Sequence, residues 1–186
     1  MRFRGFIFTL LVGAGVFTFV QRSPAQSPAQ VPAPIRAAAL KPAVEATLAQ
    51  LMKGILSPSS NVVFAAQSEN PADVPPAKDP SMATNPLASS YGKWEAVENA
   101  ALAIAEASNL LTIPGRKCSN GLSVPLSNAD WPMLVRGLRE AGVTAYKAAQ
   151  TKNQDKILEA ADVLTTACAN CHDKYREKAK IGDRCK

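Results

Sequence analysis

The chain has 186 residues, 47% of them hydrophobic but only 6% aromatic, and a formal charge of +6. This length suits one ordinary domain, and an aliphatic, Ala-rich composition favours closely packed helices over strands, which prefer β-branched and aromatic residues. The charge falls to about +3 once Arg2, Arg4 and Arg22 are set aside, because no acid precedes Glu45, so net charge gives no case for nucleic-acid or anionic-membrane binding.

Residues 1–25 read as a signal peptide. Arg2 and Arg4 make a basic start, Gly5 to Val20 an apolar run, and Ser23-Pro24-Ala25 or Ser27-Pro28-Ala29 a small-residue cleavage zone. Export to the periplasm follows. An uncleaved anchor is the alternative, since the apolar run falls just short of the ~20 residues that span a bilayer; the membrane, as an inner-membrane tether, enters only if this segment is retained. Residues 26–39, rich in Pro, Ala and Gln, read as a flexible linker.

A helical domain is expected over 40–181, with a short tail at 182–186. Helix one begins at Lys41, tolerates Pro42 in its first turn, and carries Val44, Leu48, Leu51 and Ile55 at steps of four and three. Pro58 predicts a kink or break before the apolar face resumes at Val62, Val63 and Phe64. Residues 68–90 hold five prolines and form a long polar loop. Helix two, from about Ser89 to Leu111, aligns Trp94, Val97, Ala101, Ile104, Ser108 and Leu111. Helix three, capped by Ser127 or Asn128, carries Leu134, Leu138, Ala141, Ala145 and Ala148; helix four, capped by Asn153, carries Ile157, Ala161, Leu164, Cys168, Cys171 and Tyr175. Four such amphipathic helices predict an all-α fold, an antiparallel four-helix bundle.

The most specific signal is Cys168-Ala169-Asn170-Cys171-His172, which has the C-x-x-C-H form of a covalent c-type haem site. Two thiols at this spacing reach the two vinyl groups of one porphyrin while the adjacent imidazole turns under the iron. One covalent haem c is therefore expected, with Cys168 and Cys171 as attachment points and His172 as proximal ligand. A zinc site would need two further ligands, and the chain has one His and no second C-x-x-C pair. A thioredoxin-like dithiol would sit at a strand-to-helix junction, whereas helix is predicted on both sides. Because His172 is the only histidine, a sixth iron ligand can only be Met, Lys, a small molecule or nothing. Arg176, one turn after His172, is placed to hold a haem propionate, with a solvated face charge as the plain alternative. Tyr175 reads as packing against the porphyrin or helix one. Arg116-Lys117 is a weaker propionate or partner candidate.

Four helices and the run Cys168-Ala169-Asn170-Cys171-His172-Asp173-Lys174-Tyr175-Arg176 together resemble the class II cytochromes c, the cytochrome c′ family, over roughly residues 40–180. The resemblance implies an exported bundle in which His172 is the proximal ligand and the first helix supplies the distal side. There Met52 stands beside Leu48 and Leu56 and is the expected distal ligand, core filler being its plain alternative. Such proteins come in two kinds. One is a Met-ligated one-electron carrier, not an enzyme, serving redox partner proteins; the other is a five-coordinate haem protein that binds NO or CO. The carrier is the expected kind, and a homodimer is admitted. The long loop, Pro58, Cys118 and Cys185 depart from the family's common pattern. The two extra cysteines, an even pair left over in an exported chain, read as a disulfide, with two separate thiols as the alternative.

Overall fold

A computed structural model describes residues 43–178 and 180–185. The segments read as signal peptide or anchor (1–25) and as linker (26–39) lie outside the described residues, as do Lys41 and Pro42. All regular structure among the described residues is helical, in four helices joined by loops and short 3₁₀ turns. None of these helices is long and apolar enough to cross a membrane.

Helix α1 is built from three pieces: α-helical Leu48–Leu51, a π-helical turn Met52–Leu56, and α-helical Ser57–Ser68. It starts later than the apolar spacing predicts. Thr47 and Gln50 form a capping box, Gln50 N–H donating to Thr47 Oγ1 at 3.2 Å and Thr47 N–H to Gln50 Oε1 at 2.8 Å, which satisfies two end donors at once. Val44 thus precedes the helix. Of the kink or break predicted near Pro58, the break is corrected, for the helix runs through it. Ser57 N–H reaches five residues back to Met52 O, and this widened turn puts Pro58 in the first turn of the next α-helical piece, where a missing N–H is tolerated.

The long loop that follows is ordered by local caps. Asp79 accepts from Ser81 N–H and Asn85 from Leu87 N–H, and Val74, Leu87 and Ala88 are buried in the core. Helix α2, Lys93–Ala107, continues as a 3₁₀ turn Ser108–Thr112. Its six predicted seam residues are all buried. Helix α3, Trp131–Gln150, has its N-cap at Asp130, two or three residues after the expected Asn128 or Ser127, and its buried stripe includes Trp131, Val135, Gly142 and Ala149 as well as Ala141 and Ala145. Leu134, Leu138 and Ala148 of the predicted stripe are only half-buried. Helix α4, Gln154–Cys171, is capped by Asn153 and continues as a π-helical turn His172–Arg176.

Helix α1 packs on α2 and α4, α2 on α3, and α3 on α4, so each helix has two neighbours around a shared core. Val63, Val97, Ile104, Ile157 and Leu164 are fully buried there. Each such side chain contributes about 1.5–3 kcal/mol, more than the ~1 kcal/mol of a typical hydrogen bond, so the apolar seams hold the helices together. The α2–α3 crossing is the tightest. A Cβ on Gly142 would stand 2.8 Å from Ala105 N and 3.0 Å from Ala101 O, whereas one on Gly137 of the same helix would meet nothing within 4 Å. Gly137→Ala is therefore expected to stabilise by up to ~1 kcal/mol through helix propensity. Gly142→Ala should destabilise, its ~1–3 kcal/mol of overpacking exceeding that gain. Thermal melts decide, and equal shifts at both positions would refute the close crossing.

Candidate functional site

The seam of α4 explains where its cysteines lie. Ile157, Ala160, Ala161 and Leu164 are buried against the other helices, and the next positions on that face are Cys168, Cys171 and Tyr175. There the core opens into a cavity of about 740 Å³, within the range of cofactor-sized sites. Its wall takes Leu48, Met52, Leu56, Ser60 and Phe64 from α1, Trp131, Leu134, Val135 and Leu138 from α3, and Cys168, Cys171, His172, Tyr175 and Arg176 from the end of α4. Cys168, Cys171, His172, Tyr175, Arg176 and Met52, the six residues expected around a haem ring, all line this one cavity. Of the other methionines described, Met82 and Met133 are exposed and lie away from it.

Both Cys168 and Cys171 are free and half-buried. Burial pushes the Cys168 thiol up. Cys171 is pushed up to about 11 by burial, with Cys168 and Asp130 adding to the effect. At neutral pH both are thiols. A reactive dithiol needs the opposite, a thiolate favoured by cationic neighbours or a helix N-terminus, and this pair sits in the last turns of its helix. Among the described residues, no three His, Cys, Asp or Glu side chains gather as they would to hold a metal ion by themselves. The pKa of His172 is lowered, first by burial and then by the Arg176 charge. This favours the neutral imidazole, the form with a lone pair to donate.

Two π-helical turns frame the cavity. Met52 begins one and His172 the other, and such turns often re-aim side chains at functional sites. Tyr175, 4% exposed, packs edge-on against Trp131, with ring centroids 5.1 Å apart at 73°. The expected packing is against the porphyrin or helix one; the ring contact found here is with α3, and Tyr175 shares the cavity wall with Leu48, Met52 and Leu56 of α1. The Tyr175 hydroxyl donates to Asp130 Oδ1 at 2.7 Å and accepts from Asn128 Nδ2 at 3.2 Å. Arg176 is half-exposed and paired with Glu177. Arg116, read as a second propionate or partner candidate, is instead buried, donating to Leu110 O and Ala46 O; neither it nor Lys117 lines the cavity.

Periodicity and motif spacing do not single out Trp131, Asp130 or Ser60. A Trp in the first turn of a helix, just before Pro132, was the available signal: a buried indole needs an acceptor, and Trp131 Nε1–H finds Leu111 O at 3.1 Å. Cys118 and Cys185 form a disulfide, and Cys185 and the neighbouring Ser119 close one edge of the cavity. No protein-family model, curated protein or solved structure matches the chain.

Proposed function

We propose that the protein is an exported electron-transfer cytochrome of the class II, cytochrome c′-like kind: an antiparallel four-helix bundle around one covalent haem c. One observation carries this reading. The Cys168 and Cys171 thiols, the His172 imidazole and the Met52 thioether line a single apolar cavity of about 740 Å³. The donor set fits the group. Cys168 and Cys171 would hold a haem by adding across its two vinyl C=C bonds, each sulfur bonding one carbon and its proton going to the other, so that no oxidant would be consumed. Two such bonds one helical turn apart would hold the group on α4.

A bound haem supplies a one-electron Fe(III)/Fe(II) couple. The chain's own residues do the rest. His172, held neutral, offers a nitrogen on the α4 side, and Met52 offers a thioether from α1. The half-exposed Arg176 guanidinium suits a propionate as a bidentate donor. Leu48, Leu56, Trp131 and Val135 exclude water from the interior, which favours the less charged, reduced state. No substrate is transformed, and the counterparts are redox partner proteins in the periplasm.

The optical spectrum of the full chain, produced with export and haem attachment, tests the reading. A low-spin, six-coordinate spectrum is expected, converted to high spin by Met52→Ala. A wild-type spectrum that is already high spin and shifts at once with CO would instead establish the five-coordinate gas-binding kind, with Met52 as packing.

A further inference from the structure

We propose that Asp130 is a positioning residue for His172, fixing through the Tyr175 hydroxyl the turn that carries this imidazole. The proposal rests on the reading of His172 as an axial ligand.

The turn needs such a tie. At His172 the helix leaves α-helical geometry, for Glu177 N–H donates to His172 O at 2.9 Å, five residues back. A widened turn at a helix end is not locked by the regular ladder on both sides, so its rotation must be set by contacts from elsewhere. Asp130 supplies them from the N-cap position of α3. An Asp there ordinarily accepts from the N–H groups of its own helix, yet its side chain makes no cap bond. Instead Oδ1 takes the Tyr175 hydroxyl at 2.7 Å, and Oδ2 pairs with Lys174 Nζ at 2.6 Å. One carboxylate thereby holds two consecutive side chains of the five-residue turn that begins with His172.

The two ties differ in weight. The Lys174 side chain is 56% exposed, so solvent screens that pair. The Tyr175 ring is buried against Trp131, and its hydroxyl also accepts from Asn128. Its carbonyl accepts from Cys185 N–H at 3.0 Å. Tyr175 is thus fixed at ring, hydroxyl and backbone, three residues along the chain from the imidazole. A turn pinned there cannot rotate about the helix axis without breaking the bond to Asp130.

The experiment is electron paramagnetic resonance of the ferric, haem-loaded full chain, whose g-values report the orientation of the axial imidazole. Tyr175→Phe and Asp130→Ala are expected to shift the g-values in the same direction. Asp130→Asn should keep the wild-type values, since its amide oxygen still accepts from the hydroxyl. Both Asp130 variants remove the charge, so their contrast isolates the hydrogen bond. If Asp130→Ala fails to fold, Tyr175→Phe, which removes a single oxygen, carries the test. Unmoved g-values in Tyr175→Phe, or equal shifts in the two Asp130 variants, overturn the positioning role alone. A wild-type chain that takes up no haem overturns the haem reading itself.

Discussion

The purified full chain, produced with a haem-attachment system, should weigh one haem more than its polypeptide under denaturing conditions, and Cys168→Ala/Cys171→Ala should lose that increment entirely. The expectation follows from geometry. The two cysteines stand three residues apart on one helical face, both line the cavity, and neither is engaged by the other two cysteines, which bond to each other. Each single variant should keep one thioether and so retain the mass but shift the absorption bands, because one vinyl group remains conjugated with the ring. Alkylation provides the complementary measurement. Thioether sulfurs take up no alkyl group, whereas free thiols at both positions take up two. Wild-type protein that alkylates at Cys168 and Cys171 after haem attachment has been offered would refute the covalent site, and with it the electron-transfer reading.

Helix existence was legible because burial follows period. Trp94, Val97, Ala101, Ile104, Ser108 and Leu111 recur at steps of three and four, and every one is buried. The grouping of the site residues was legible for the same reason, since the α4 seam carries Cys168, Cys171 and Tyr175 onto the face that Ile157 and Leu164 bury. What escaped was set by backbone hydrogen bonds or by distant partners. The start of α1 was decided by the Thr47–Gln50 capping box, a local bond pair that outweighs the apolar position at Val44. Pro58 fails to break α1 because a π turn absorbs the lost donor, and no side-chain pattern marks that turn. Arg116 reads as a propionate or partner candidate, yet its partners are the carbonyls of Ala46 and Leu110, which every residue type possesses. The link between Tyr175 and Asp130 joins positions 45 apart in sequence, and it forms only because α3 begins where the last turn of α4 ends.

Removing the disulfide by Cys118→Ala/Cys185→Ala is expected to destabilise the protein by about 4 kcal/mol in the chain-entropy model. The bond spans 67 residues with its Cα atoms 5.0 Å apart, so it closes a long loop in the unfolded chain. Both cysteines are buried, and the segment around Cys185 is held by more than sulfur. Cys185 N–H donates to Tyr175 O, and Asn120 Nδ2 donates to Gly182 O and Arg184 O at 3.1 and 2.8 Å. These bonds act beside the staple, and at ~1 kcal/mol each they cannot replace it. For a domain of this size the loss corresponds to a fall in melting temperature of roughly 10–15 °C. The effect should reach the cavity as well. Cys185 forms part of its edge, so a released tail exposes the Tyr175 turn to water and should speed hydrogen exchange at residues 172–177 more than in the middle of α4. The melt of the double variant, compared with wild type with and without a thiol reductant, decides the matter. A variant that melts within about 2 °C of the oxidised wild type would show that tail and loop are held without the bond.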